Sequence, residues 1–209
     1  VEMARGIPVE LDTYEEEDFQ INIDRLKSLI TPRTRALIIN TPSNPTGSCL
    51  SADTLGEIAK IAEEEDLIVI ADDIYTSYSF EKDFIPFMSM PGMRERTITI
   101  NSFSKNFIMT GWRVGNIIAP AFIVRVLKDM GENIVYSAPA PSQRAAIYAL
   151  RNRKVIQPPI IAEYRKRMEY AAERINRIPW MSVITPPKGS FYLFINIKKS
   201  GLSSLDAAD

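Results

Sequence analysis

The sequence predicts an α/β fold built on a mostly parallel sheet. Short apolar runs rich in β-branched residues alternate with helix-period segments, and one such segment joins two runs as a crossover helix. The polar residues able to carry chemistry follow the runs directly, which places them at the carboxyl ends of the strands, where ligands collect in such sheets. The expected strands are residues 7–11 (IPVEL), 36–40 (ALIIN), 67–71 (LIVIA), 97–101 (TITIN) and 114–119 (VGNIIA), all read as buried. Residues 51–66 form the crossover, with Leu55, Ile58, Ala59 and Ala62 on one face, Glu63, Glu64 and Glu65 toward solvent, and Ser51 or Asp53 as the cap. Helices are expected over 123–130, 142–150 and 160–178, the last ending before Pro179. Two strands over 181–184 and 191–197, joined by the turn TPPKGS, begin a smaller α+β unit. The expected division is 1–154 for the large domain and 155–209 for a bridging helix and the start of the second.

Composition narrows the chemistry. The chain has 209 residues, 45% of them hydrophobic and 24% charged, which excludes a disordered tail or linker. With 25 Lys plus Arg against 26 Asp plus Glu, the net charge of -1 offers no field for nucleic acid or an anionic membrane, so neither is expected as a partner. No histidine is present, which removes Ser/His/Asp and Cys/His nucleophilic schemes and imidazole metal sites. Acid and base work falls to Lys, Asp, Glu or Tyr. The single cysteine, Cys49, forms no internal disulfide and points to a cytoplasmic setting. No apolar run reaches the ~20 residues of a membrane span. Because the chain opens on Val1 and ends on SSLDAAD, a helix start with no helix after it, we expect it to be incomplete.

The chemistry concentrates after the fourth run. Lys105 sits just past an apolar strand and ahead of Phe107, Ile108, Met109 and Trp112. Such an apolar setting favours the neutral amine that an imine-forming lysine requires. Asp72 and Tyr75 stand at i, i+3 beside the third run, and Asn44 follows the second.

Taken together, residues 40–47 (NTPSNPTG), 71–75 (ADDIY), 102–105 (SFSK), 109–115 (MTGWRVG) and 187–192 (PKGSFY) resemble, in order and spacing, the motifs of the class I and II aminotransferases, pyridoxal 5'-phosphate (PLP) enzymes of fold type I. The resemblance implies a three-layer α/β/α large domain and a homodimer. It implies amino-group exchange between an L-amino acid and a 2-oxo acid, with Lys105 forming the imine with PLP and acting as the catalytic base. It gives Asp72 the pyridine nitrogen, Asn44 and Tyr75 the phenolic oxygen, and Ser102, Ser104 and Arg113 the phosphate. Asp73, Tyr78, Tyr136 and the phenylalanines receive no role.

A carbon-sulfur β-lyase of the same fold would share every motif, and a transcriptional regulator carrying such a domain as a sensor is a rival from another class. In this family the segment resembling residues 133–143 approaches the partner subunit's active site. Here it holds no Arg or Lys, so no charged group from it is expected to read aspartate.

Overall fold

The computed structural model describes residues 1–208; Asp209, the end of the SSLDAAD segment, lies outside them. The sheet has four strands, β1 (Ala36–Asn40), β2 (Ile68–Asp72), β3 (Thr97–Ser102) and β4 (Gly115–Ile118), in the order β1-β2-β3-β4. β1, β2 and β3 run parallel, with Asn40 opposite Asp72 and Asp72 opposite Ile100. Parallel pairing follows from the crossover between β1 and β2, helix α2 (Ala52–Glu64). Ser51 caps it, its hydroxyl accepting from the Thr54 N–H at 3.0 Å.

One apolar face of α2 makes the core. Leu55, Ile58, Ala59, Ile61 and Ala62 are buried against Ile39, Val69 and Ala71 of the sheet, with Phe87 and Met93 beside them. Leu26 enters the same core from α1 (Ile23–Leu29). A smaller cluster gathers Phe103, Met109 and Val114 with Ala146 and Ala149. Those alanines come from α5 (Ala140–Arg151), which follows α4 (Ala121–Ile134). An open groove of about 470 Å³ separates α4 from the β3–β4 edge, lined by Ile100, Ile117, Val124 and Leu127.

Several expectations need correction. Residues 7–11 are not a strand: Ile7 and Val9 face solvent, and only Leu11 packs against the core. An apolar run becomes a strand only where a neighbour pairs with it, and no strand does so among the described residues. β4 pairs antiparallel with β3 and is exposed at every position, not buried.

The last long helix, α6 (Arg153–Asn176), begins earlier than expected and carries Pro158 and Pro159 inside it. Those prolines leave the Lys154 and Val155 carbonyls without their i+4 donors, and both residues are exposed, a setting in which such a loss is least costly.

The two strands expected near the end reduce to one isolated bridge between Ser182 and Asn196. The Asn176 side chain captures the Val183 backbone on both sides, accepting from its N–H at 2.8 Å and donating to its carbonyl at 3.1 Å. A ladder would need those groups. The intervening segment instead docks on the chain that follows β2: the Phe80 N–H donates to the Lys188 carbonyl and the Ser190 N–H to the Tyr78 carbonyl, each at 2.8 Å. Gly189 permits this approach, since a Cβ there would lie 2.8 Å from Pro42 Cβ and 2.9 Å from the Tyr78 carbonyl oxygen. Gly47 faces the same seam at φ 72°.

Candidate functional site

The carboxyl ends of β1, β2 and β3 supply the site. Asn40, the last residue of β1, braces two of them: its amide donates to the Asp72 carbonyl at 3.1 Å, and its side-chain oxygen accepts from the Asn44 N–H at 2.8 Å. Sequence reading gave Asn40 no role. Its signal was an asparagine at a strand end with a second one four residues on, a spacing that lets a side chain cap a turn.

Asp72 ends β2 with its Oδ1 buried and without any hydrogen-bond partner. An unsatisfied buried acceptor is costly, so this oxygen is built to receive a donor. Burial raises its pKa, opposed by the Ile74 backbone N–H. Asp73 is more deeply buried; burial first, then the neighbouring Asp72 charge, push its pKa up to about 7. Tyr75 follows in a buried position, and its hydroxyl lies 3.5 Å from the Asn44 amide nitrogen, a long contact, and 3.0 Å from the Tyr192 hydroxyl. Burial and Tyr192 both raise the Tyr75 pKa, so the phenol keeps its proton.

Lys105 stands on the short helix α3 (Phe103–Asn106) that follows β3. The Ser102 hydroxyl caps this turn, accepting from the Ser104 N–H at 3.1 Å. The Lys105 carbonyl accepts from the Tyr78 hydroxyl at 2.8 Å, and its Nζ lies 5.6 Å from the centre of the Phe191 ring. Tyr78, given no role from sequence, is therefore fully buried for a reason that concerns the site: it fixes the lysine turn.

Arg113 is exposed and left-handed at φ 51°, and its guanidinium donates to the Thr110 carbonyl at 2.9 Å. No hydrogen bond joins it to Ser102 or Ser104 among the described residues. Register brings it to their rim, for Ser102 pairs with Gly115 and the Phe103 N–H donates to the Val114 carbonyl. Ile108, between the lysine and the arginine, holds φ 54°, a conformation a β-branched residue adopts only under constraint.

Asn44, Asp72, Tyr75 and Lys105 thus gather around one rim with Phe191 and Tyr192 from the docked segment. The arrangement offers an orphaned carboxylate oxygen, two phenols, an amide and a primary amine in one place, with hydroxyls and a guanidinium at its edge. That donor set suits a flat, anionic, nitrogen-containing ring.

Comparison with known proteins agrees with this chemistry. The profile of the family described as aminotransferase class I and II matches residues 1–207. The chain belongs to that family. Its members depend on PLP. It is 42% identical over 214 residues to the aromatic-amino-acid aminotransferase 2 of Thermococcus litoralis, covering 99% of this chain and 54% of that protein. It is 43% identical over 214 residues to the aspartate aminotransferase of Pyrococcus abyssi, with the same coverage of 99% and 54%. The crystal structure of an aromatic aminotransferase from Pyrococcus horikoshii superposes with a TM-score of 0.89 at 40% identity, over 96% of this chain and 54% of that one. The α/β class read from sequence is the fold of these neighbours. The chain spans about half the length of the relatives it matches. Among the described residues no helix is long and apolar enough to cross a membrane.

Proposed function

We propose that this chain is the cofactor-holding part of a PLP-dependent aminotransferase, and that the whole protein exchanges an amino group between an L-amino acid and a 2-oxo acid. The observation that carries the reading is the buried, partnerless Oδ1 of Asp72 beside the Tyr75 and Asn44 donors, with a lysine on the next strand end. We read residues 1–154 as the large domain and 155–209 as part of a smaller one, and the working protein as a cytoplasmic homodimer.

Asp72 Oδ1 would accept a hydrogen bond from the protonated ring nitrogen. A cationic donor there offsets the burial that now raises its pKa, and holds the carboxylate ionised. Tyr75 and Asn44 would donate to the phenolic oxygen and hold it as an anion. Ser102, Ser104 and Arg113 would bind the phosphate, hydroxyls and a guanidinium fork sharing its oxygens. When bound, the cofactor supplies the electron sink that makes the substrate Cα acidic. With the cofactor in place, the Lys105 Nζ would take the substrate Cα proton and hand it on to the cofactor carbon beyond the intervening nitrogen, which needs a primary amine whose backbone is held still. Tyr78 holds it, through the Lys105 carbonyl.

Borohydride treatment of the PLP-loaded whole protein, followed by peptide mapping, is expected to leave a pyridoxyl label on Lys105. Lys105→Ala should lose at least ~1,000-fold in transamination, the scale of a missing general base, while retaining PLP by its other contacts. A label on another lysine, or activity surviving in Lys105→Ala, would sink the assignment.

A further inference from the structure

We infer that Tyr192 is a positioning residue for Tyr75: its hydroxyl, 3.0 Å away, aims the Tyr75 proton at the cofactor's phenolic oxygen and strengthens that donation. The inference rests on the reading above.

A phenol has one proton. If Tyr75 gives it to the cofactor, the Tyr75 oxygen must accept from elsewhere, and the structure offers two donors, the Asn44 amide at 3.5 Å and the Tyr192 hydroxyl at 3.0 Å. The amide lies at the outer limit of a hydrogen bond, so Tyr192 is the stronger partner. With Tyr192 donating inward, the Tyr75 hydroxyl has one direction left, and a chained donor is a better donor.

The placement of Tyr192 is heavily determined. Its N–H donates to the Ser190 hydroxyl at 3.3 Å, and Ser190 is fully buried with φ 54°. The two tyrosine rings meet edge to face at 5.6 Å, and Phe191 meets Tyr75 edge to face at 5.3 Å. Ionisable groups around Tyr75 are few: Asp72 at the end of β2, Tyr192 from the docked segment, and Lys105 from α3 across the Phe191 ring. Burial keeps Tyr75 protonated, as a donor must be.

The experiment titrates the visible absorption of the PLP-loaded whole protein against pH. A phenolic oxygen with weaker donors is more basic and holds its shared proton to higher pH. Tyr192→Phe is therefore expected to raise the spectral midpoint by about half a pH unit, and Tyr75→Phe by more. The double variant should match Tyr75→Phe alone, because Tyr192 acts only through Tyr75. Replacing Tyr192 with 3-fluorotyrosine, nearly isosteric and a stronger donor, should lower the midpoint, which keeps the test open if Tyr192→Phe folds poorly.

An unmoved midpoint in the fluorinated protein or in folded Tyr192→Phe would overturn the inference. So would a full Tyr192 shift persisting in the Tyr75→Phe background. Failure of the underlying reading looks different: the unsubstituted protein would show no pH-dependent band that Lys105→Ala removes.

Discussion

The helices α2 and α4 make an instructive pair. Both are amphipathic in sequence, yet α2 buries five residues, Leu55, Ile58, Ala59, Ile61 and Ala62, whereas α4 buries none. Phe122 and Val126 of α4 and Ile117 and Ile118 of β4 face solvent, and an open groove lies where α2 has packed side chains. Amphipathicity states what a helix can bury; a matching surface decides whether it does. Here β1 and β2 offer that surface to α2, and Asn44, Asp72 and Tyr75 stand on the rim of this packed half, while Ser102 and Arg113 border the open one.

The contrast can be broken most directly at Ile58. Ile58→Ala in the 209-residue chain is expected to cost about 2–5 kcal/mol in denaturant unfolding, the usual effect of an unfilled core cavity. Val126→Ala on α4 should stay within about 0.5 kcal/mol. Comparable losses at the two positions would show that α4 is covered in solution and that the asymmetry is false.

A smaller effect is expected at the seam. In Gly189→Ala the new methyl meets Pro42 Cβ at 2.8 Å and the Tyr78 carbonyl oxygen at 2.9 Å, atoms that cannot swing aside. Overpacking of this kind costs about 1–3 kcal/mol. Unfolding midpoints unchanged by the methyl would mean that the segment is not docked as described.

The mildest test uses pH on the packed side. The pKa of Asp73, about 7 in the folded chain against an ordinary 3.8, means that the folded state keeps a proton the unfolded state has released. Stability from this group is therefore fully present below pH 4 and falls as pH rises toward 7. Asp73→Asn should flatten that decline, so that the variant gains on the parent as pH rises from 4 to 8, every tenfold gain in proton affinity on folding corresponding to about 1.4 kcal/mol. Unfolding curves at pH 4, 6 and 8 would show it, and parallel slopes in both proteins would contradict it.

Much of this was legible in the sequence for a physical reason. β1, β2 and β3 are short apolar runs rich in β-branched residues, and the α2 face repeats with a helical period, yet burial alternates along the strands and β1, expected to be buried, leaves Ala36 and Ile38 exposed because no helix among the described residues covers its outer face. Residues 7–11 carry the same signal without a partner, which no local pattern reveals. A helix was expected only from residue 160, whereas α6 starts before Pro158 and Pro159, and the exposed Lys154 and Val155 put the turn these prolines disrupt at the surface.

In the proposed site, Asn44, Asp72, Tyr75 and Lys105 were candidates from sequence because each belongs to a local motif. Tyr192 could not, since its importance lies in a contact across the chain, and Asn40 was legible only in its local bond to Asn44, not in its bond to the Asp72 carbonyl. Tyr192 had only the spelling of PKGSFY to mark it, and a tyrosine beside a phenylalanine reads as packing.

The contact between Tyr75 and Tyr192 spans 117 residues, and this separation has a consequence in time. A ribosome adding 5–20 residues per second needs about 4–16 s to go from Arg113 to Tyr192. For that interval the nascent rim holds its lysine, its carboxylate and its first phenol without the partner that orients it. Assembly of the site is therefore ordered: the chemical groups come first, and the group that aims them arrives seconds later.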